Sequence, residues 1–341
     1  RYNGSSRGTS PSRGLDIEPD PGNTLDNVLV DNCLIRDRGL VHIPITDSVN
    51  DTKYSILIQN CSIPSQFDIS GACTFKGNRI KYLYINNARH AEILNNHIYE
   101  NLIFGGNELI SNVNIKGNNI IPLNGEVYNY AIVFGETTVK LENINFIDNI
   151  IDLTKQSKFK IIKGLPETGK LDLRRCTIIT SKTDPQLYYT AGDIINCYIE
   201  AYCFNFYENI SVENSTINLI GNTFIFYRTY PFVINIDITT PYTINILHND
   251  IITPGFEAKQ LIAYMGHTFA GTINVFANNY DGLETYNVGN SADMPTLNQW
   301  QKGEQYFATD YNRTYFWNGD MWVDGDGYKP LKRVGTTAER P

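Results

Sequence analysis

The chain has 341 residues, of which 42% are hydrophobic and 19% are charged, and its formal net charge is -8. An acidic chain without a cluster of Lys and Arg lacks the surface that neutralises phosphates, which excludes a nucleic-acid partner. No apolar run approaches the ~18 residues that a membrane-spanning helix needs, so we expect no membrane insertion. The sequence is rich in Ile, Asn and Tyr, a mixture that favours strands joined by polar turns over helices.

The opening segment carries an acidic pair on a predicted strand, in residues 14–19, which read GLDIEP. Residues two apart on a strand share a face and lie ~6.6 Å apart along it. Asp16 and Glu18 are therefore expected to face outward, while Leu15 and Ile17 point into the core. The sequence leaves two interpretations open: the acids act on a ligand, or they are structural acids that cap turns.

The next segment repeats this pattern and adds basic residues. Residues 39–44 read GLVHIP and align with residues 14–19. Arg36, Arg38 and His42 are thereby expected one structural repeat away from the acidic pair. The pattern does not decide whether His42 points inward or outward. If it points outward, it joins the acidic pair across neighbouring strands.

An Asn recurs along the chain from residue 32 to about residue 279, usually one or two residues before an Ile. It returns every ~18–35 residues, a spacing typical of stacked repeat architectures. One variant, residues 175–178 (RCTI), keeps the position and loses the Asn. The recurring residues are Asn32, Asn60, Asn78, Asn96, Asn119, Asn149, Asn196, Asn214, Asn249 and Asn278.

Short runs of β-branched residues lie between these positions, for example residues 54–58, 113–115 and 272–275, and they predict strands. Strands that recur at this spacing predict an all-β fold, a right-handed parallel β-helix over residues 1–285. The Asn is expected to adopt the left-handed backbone of a sharp turn. Stacked Asn side chains are expected to hydrogen-bond between repeats.

Four of the six Cys, namely Cys33, Cys61, Cys176 and Cys197, fall directly after the recurring Asn or its substitute. We predict that they are small core residues stacked between repeats. Metal binding is the alternative, but the sequence has no CxxC pair and no Cys/His cluster at ligand spacing. We therefore predict no metal and no cofactor.

Aromatic residues concentrate in the later repeats. Exposed Tyr rings can stack on sugars while their hydroxyl groups bond sugar hydroxyls, and the Phe side chains are expected to fill the core. Whether the Tyr side chains bind sugar or pack stays open. The residues are Tyr188, Tyr189, Tyr198, Tyr202, Phe204, Phe206, Tyr207, Phe226, Tyr227, Tyr230 and Phe232.

The character of the sequence changes near residue 285. Residues 286–330 hold all three Trp of the chain and predict a small antiparallel β-meander with a Trp mini-core. Residues 334–341 (VGTTAERP) repeat residues 288–295 (VGNSADMP), so residues 331–341 are predicted to be a linker or the start of a truncated second module. Because the chain begins at Arg1, we expect it to be a piece of a longer protein.

The repeat pattern and the opening segment together resemble the pectate-lyase-like superfamily of parallel β-helix proteins, over roughly residues 1–285. Residues 3–19 (NGSSRGTSPSRGLDIEP) are similar to an opening signature of one branch, and residues 305–324 to small C-terminal modules of phage tail and cell-surface proteins. The resemblance implies a polysaccharide partner (a capsular, cell-wall or dietary glycan) and an extracellular, cell-surface or virion location. Its phage-tailspike-like members also imply a homotrimer.

The chemistry of such a protein stays open between hydrolysis, elimination and binding alone. Hydrolysis needs two carboxylates, ~5–5.5 Å apart for retention or ~6.5–9.5 Å for inversion, and Asp16 with Glu18 is the candidate pair. A lyase needs a base, for which His42 is the candidate, and a cation for the uronate carboxylate. The candidate substrate-binding residues are Arg13, Asp20, Arg36 and Arg38. The rival function is a non-catalytic receptor-binding, adhesion or structural tail protein.

Overall fold

The structure is a computed structural model. It describes residues 14–18, 25, 27–42, 56–106, 109–122, 130–134, 139–154, 160–163, 169–180, 182, 187–188, 192–207, 216–228, 231–235, 243–254, 262–264, 272–276, 278–281, 288–289, 294, 305–308 and 313–324. In these ranges all regular secondary structure is β-strand. No helix among them is long and apolar enough to cross a membrane.

Two long parallel sheets hold most of the strands. The first, here called the long sheet, consists of β1 (Leu15–Ile17), β3 (Gly39–His42), β5 (Ser62–Ser70), β7 (Arg79–Asn86), β9 (His97–Gly105), β11 (Asn119–Ile120), β12 (Tyr130–Phe134), β14 (Ile150–Asp152), β15 (Lys160–Lys163), β17 (Thr177–Ile179), β20 (Tyr198–Ala201), β23 (Thr223–Phe226), β26 (Asp250–Ile252) and β29 (Asn279–Asp281). The other, here called the second sheet, consists of β2 (Val28–Asp31), β4 (Ile56–Gln59), β6 (Thr74–Lys76), β8 (Glu92–Leu94), β10 (Leu109–Lys116), β13 (Lys140–Ile147), β16 (Leu173–Arg174), β19 (Ile194–Ile195), β22 (Thr216–Ile220), β25 (Thr243–Leu247) and β28 (Thr272–Phe276).

The chain moves back and forth between these sheets, and each strand pairs in parallel with the equivalent strand of the following repeat. A third parallel sheet contains β18 (Leu187–Tyr188), β21 (Phe204–Tyr207), β24 (Phe232–Asn235) and β27 (Ile262–Tyr264). In most strands whose burial is described, alternate residues point inward, so the register stacks apolar side chains into buried columns. One column of the second sheet runs through Ile58, Phe75, Ile93, Ile115, Phe146, Leu173, Ile194, Leu219, Ile246 and Val275. The arrangement is compatible with the predicted parallel β-helix.

A row of Asn side chains, here called the inner ladder, follows the turn from the second sheet to the long sheet and is buried except at its half-buried last member, Asn278. It consists of Asn78, Asn96, Asn118, Asn149, Asn222, Asn249 and Asn278. Nδ2 of Asn118 donates to the carbonyl oxygen of Ile93 (2.9 Å) and to Oδ1 of Asn149 (3.0 Å). Its Oδ1 accepts from the backbone N–H and from Nδ2 of Asn96, at 2.8 and 2.9 Å. Stacked Asn side chains thus join consecutive repeats, as predicted.

The left-handed backbone of this turn lies one residue earlier, which corrects the prediction that one Asn serves both purposes. The φ angles are 54° at Asn95, 68° at Gly117 and 56° at Asp148, each directly before an inner-ladder Asn. Of the predicted residues, Asn32, Asn60 and Asn196 are left-handed turn residues and not ladder members. In the repeat around residue 118 the ladder residue is Asn118, not the predicted Asn119, which begins β11. Asn214 lies outside the described residues.

Cysteine takes the ladder position in the repeats that lack a buried Asn. Cys61, Cys176 and Cys197 are buried, as predicted. The backbone N–H of Cys176 donates to Sγ of Cys197 (3.3 Å), so sulfur replaces the amide oxygen as acceptor. The prediction is wrong for Cys33, whose side chain is exposed. Its repeat contributes β2, the terminal strand of the second sheet, so on one side no described strand of that sheet covers it.

Near the C-terminal end a small sheet contains β30 (Val288–Gly289), β31 (Gln305–Ala308), β32 (Arg313–Trp317) and β33 (Trp322–Val323). The last three strands pair antiparallel, which fits the predicted meander. Tyr306, Tyr315, Trp317 and Trp322 form its core, so these rings pack against each other and are not open to a sugar. The sequence did not predict β30, which pairs in parallel with β31.

Candidate functional site

The predicted acidic pair lies on the outer side of β1. Asp16 and Glu18 are exposed, Ile17 is buried and Leu15 packs against the core, as the alternation predicts. In the neighbouring strand β3, Leu40 pairs with Asp16. Both carboxylates are therefore accessible from solvent, with an aliphatic neighbour beside the first.

The orientation of His42, which the sequence left open, follows from its strand. Val41 is fully buried, so His42, the next residue of β3, projects to the outer side and is half-buried. Because Ile17 pairs with Val41, the continuation of the register brings Glu18 level with His42. The predicted base and one predicted acid thus share one side of adjacent strands.

Of the predicted basic residues, the structure describes Arg36 and Arg38, and neither forms an ion pair with Asp16 or Glu18. Arg36 is exposed, and Arg38 turns to Asp68 of β5, to which its Nε donates at 2.5 Å. Arg13 and Asp20 lie outside the described residues. Of the four predicted substrate-binding residues, the structure therefore describes two, and one of them is already engaged by a carboxylate.

Asp68, which the sequence did not predict, is the centre of a second polar group. Its side chain is almost fully buried and accepts from Arg38, from Nε2 of Gln66 (2.7 Å) and from Nδ2 of Asn86 (3.4 Å). The hydrogen bond with Asp68 raises the pKa of Arg38 above its usual range, although partial burial opposes that shift. A buried carboxylate held by a cation and two amides is typical of a structural anchor.

A third polar group, here called the Glu200 cluster, lies on the outer side of β20 and just beyond the ends of its neighbours β17 and β23. It consists of Lys182, Tyr198, Glu200 and Tyr227. The carboxylate of Glu200 accepts from the hydroxyl groups of Tyr198 (3.1 Å) and Tyr227 (2.7 Å). Nζ of Lys182 lies 3.4 Å from Oε1 of Glu200 and 4.6 Å from the ring centroid of Tyr227. One exposed ammonium group thus contacts a carboxylate and an aromatic face.

The electrostatics of the cluster fix the protonation state of its members. Partial burial by itself would raise the pKa of Glu200, but hydrogen bonds from Tyr227, Tyr198 and Lys182 outweigh it and bring the pKa below its ordinary value. Burial and the hydrogen bond to Glu200 raise the pKa of Tyr198. At neutral pH Glu200 is therefore a carboxylate and Tyr198 a neutral phenol. This state suits the binding of hydroxyl groups better than proton transfer.

The Glu200 cluster is distant from the acidic pair. In the order of the long sheet, β20 stands eight strands from β1, which corresponds to ~38 Å at the spacing of parallel strands. The two groups cannot contact the same sugar residue. The tyrosines were among the aromatic residues singled out in the sequence, but Glu200 and Lys182 carried no signal of their own.

A row of exposed and half-buried amide and carboxylate groups, here called the outer row, follows the outer face of the second sheet. Nδ2 of Asn245 donates to Oδ1 of Asn218, and Nδ2 of Asn274 donates to Oδ1 of Asn245, both at 2.7 Å. The tripeptide Thr-Ile-Asn at residues 216–218, 243–245 and 272–274 is a sequence signal that could have found it. The members are Glu92, Asn114, Asn145, Asp172, Asp193, Asn218, Asn245 and Asn274.

Within the part of the chain that the structure describes, no group of three or more His, Cys, Asp or Glu side chains is arranged to hold a metal ion. Comparison with known proteins finds no matching family model, no matching curated sequence and no matching solved structure.

Proposed function

We propose that the chain winds as a right-handed parallel β-helix of the pectate-lyase-like kind and binds a polysaccharide on its outer surface, at the Glu200 cluster. The observation that supports this is a group of two phenol hydroxyls, a carboxylate and an ammonium, in which Tyr198 and Glu200 of β20 meet Lys182 and Tyr227. Sugars present hydroxyl groups around an apolar ring face, which hydrogen-bonding groups beside aromatic rings complement.

The repetition along the sheets supports an extended ligand. Equivalent strands follow one another at ~4.8 Å, so a chain molecule that lies along the sheets would meet new polar side chains at every repeat. The outer row supplies such a series on the second sheet. A polysaccharide with an acidic sugar would pair with Lys182, whereas a neutral one would depend on the hydroxyl and carboxylate groups.

Binding to a panel of capsular and cell-wall polysaccharides, measured by calorimetry, tests the proposal. We expect Glu200→Gln and Tyr227→Phe each to weaken binding about tenfold, because a hydrogen bond to a charged group contributes ~1.5–3 kcal/mol. The matched control is Glu142→Gln, an exposed acid on β13 outside the cluster. Affinities that stay unchanged in both cluster variants would exclude this surface.

Cleavage at the acidic pair is a second candidate function, because Asp16, Glu18 and His42 share the outer side of two adjacent strands. In a hydrolase, Asp16 and Glu18 divide the acid and base roles. In a lyase, His42 takes the proton beside a uronate carboxylate, and an unsaturated product absorbs ultraviolet light. Incubation of the chain with a binding glycan distinguishes them: Asp16→Asn with Glu18→Gln stops hydrolysis, and His42→Ala stops elimination. If neither variant changes product release, these residues are not catalytic.

The rival is a receptor-binding, adhesion or structural tail protein that binds without cleaving. A glycan that binds at the Glu200 cluster and is recovered intact supports this function. We further propose an extracellular, cell-surface or virion location and a homotrimer, on the resemblance to tailspike-like proteins. Light scattering on the purified chain tests the trimer, and a monomeric mass would contradict it.

A further inference from the structure

Cysteines occupy the ladder position in two stacked pairs. Cys176 and Cys197 lie in consecutive repeats, and so do Cys33 and Cys61. Backbone hydrogen bonds join the two chain segments around Cys33 and Cys61. The N–H of Ser62 donates to the carbonyl oxygen of Cys33 (2.9 Å), and the N–H of Asn32 donates to the carbonyl oxygen of Gln59 (3.2 Å). The two Cys therefore stand directly next to each other on neighbouring chain segments.

The side chains of Cys33 and Cys61 project in the same direction. Sγ of Cys33 lies 3.2 Å from the carbonyl oxygen of Asp31, and Sγ of Cys61 lies 3.1 Å from the equivalent oxygen of Gln59. Neighbouring parallel segments lie ~4.8 Å apart, which falls within the ~4.4–6.8 Å between Cα atoms that a disulfide spans.

Solvent access separates the two pairs. Cys33 is exposed, whereas Cys61, Cys176 and Cys197 are only 1–3% exposed. Thiol–disulfide exchange begins with an accessible thiolate, so a dissolved oxidant reaches Cys33 and neither member of the other pair. The pair Cys176 and Cys197 is thus a natural control with the same stacking and no access.

We propose that Cys33 and Cys61 form a disulfide when the protein meets a small-molecule disulfide such as oxidised glutathione. The Cys33 thiolate attacks one sulfur of the oxidant, forms a mixed disulfide and releases one glutathione thiol. The Cys61 thiolate then attacks Sγ of Cys33, forms the internal bond and releases the second. Two protein thiols are oxidised, one oxidant disulfide is reduced to two thiols, and two protons pass from the protein thiols to the leaving thiolates.

The bond would reinforce the part of the fold where the inner ladder has no amide. Asn–Asn hydrogen bonds of the ladder begin at Asn78, after both cysteines. Leu29 and Leu34 in the same first repeat are more than half exposed, so this repeat holds less apolar burial than those that follow. A covalent link from Cys33 to the buried Cys61 fastens this repeat to the next.

Peptide mapping after incubation of the folded chain with oxidised glutathione tests the proposal. We expect a Cys33–Cys61 crosslink that lacks two hydrogens, with Cys176 and Cys197 still reduced. Burial raises the pKa of Cys61, so the second step should accelerate as the pH rises. In Cys61→Ser the glutathione should remain attached to Cys33, and in Cys33→Ser no adduct should form at Cys61.

Two results would overturn the proposal. If the unchanged chain keeps glutathione on Cys33 without forming the internal bond, the two sulfurs cannot reach each other. If Cys176 and Cys197 crosslink at the same rate as Cys33 and Cys61, solvent access does not select the site. Because Cys33 is exposed, its Ser variant should fold normally, and circular dichroism of that variant confirms that a missing adduct reflects the lost thiol.

Discussion

The inner ladder and the outer row use the same side chain in two different ways. Asn118 of the inner ladder is fully buried, and its amide makes four hydrogen bonds to neighbouring repeats. Asn145 of the outer row is exposed, and its Nδ2 donates to Oδ1 of Asn114 at 2.7 Å. Both rows run along the stacked repeats, one at an internal turn and one on an outer face.

Burial, not residue type, therefore decides whether an Asn row contributes to stability or is available to bind a ligand. Water can replace a lost partner on the outer face, so an outer amide adds little to stability. At the turn no water competes, and every donor or acceptor left without a partner costs its full desolvation. The inner ladder is therefore structural, and the outer row has hydrogen-bonding capacity available for a ligand.

Asn118→Ala should have the largest effect. It removes the partners of the Asn96 backbone N–H and of the Ile93 carbonyl, so we expect the free energy of unfolding to fall by about 3–5 kcal/mol. Urea unfolding followed by circular dichroism measures this loss. Asn145→Ala, on the outer row nearby, is the matched control and should cost no more than ~0.5 kcal/mol. Equal losses in the two variants would remove the distinction between the rows.

Asn118→Cys should have an intermediate effect, because the chain itself places Cys at this position in other repeats. Sγ of Cys197 accepts the backbone N–H of Cys176 in the preceding repeat and lies 3.4 Å from the carbonyl oxygen of Leu173, which are the two contacts that an amide would make. We expect a loss of about 1–2 kcal/mol, since sulfur is the weaker partner in both bonds. A midpoint of urea unfolding equal to that of Asn118→Ala would show that sulfur does not substitute for the amide.

The sequence predicted the features that recur in every repeat better than the contacts that occur only once. The strands, the stacked Asn and the buried Cys61, Cys176 and Cys197 follow from spacing and hydrophobicity, which every repeat restates. The division of the turn into a left-handed residue and a buried Asn did not follow, because both positions are often Asn. Asn95 and Asn96 illustrate this, since adjacent identical residues have opposite roles.

The polar groups on the outside could be predicted only in part. Asp16 and Glu18 are neighbours in sequence, so strand alternation alone predicted that they share the outer face. Arg38 and Asp68 are 30 residues apart, and their contact depends on which residue of β3 pairs with which residue of β5. The same holds for the Glu200 cluster, in which Lys182 and Tyr227 come from the repeats on either side of Tyr198 and Glu200. These contacts depend on the register between neighbouring strands, which the spacing of the repeats does not predict.

The smallest expected effect is a pH dependence that belongs to the outer surface alone. Amides do not titrate, so the inner ladder from Asn78 to Asn149 should contribute nothing to the change of stability with acid. The folded-state pKa of Glu200 is lowered by its hydrogen bonds. Its stabilisation is therefore present above the unfolded value of ~4.3 and is lost as the pH falls through the lower folded value.

Comparison of the chain with Glu200→Gln between about pH 6 and pH 3 measures this contribution. The parent chain should lose its small stability advantage over the variant as the pH falls below ~4.3, and the two thermal midpoints should converge. Glu142→Gln, an exposed acid outside the cluster, should run parallel to the parent across the range. If Glu200→Gln also runs parallel, its carboxylate gains nothing from Tyr198, Tyr227 and Lys182 in the folded state. The hydrogen bonds that support the proposed glycan site would then be too weak to hold that site in place.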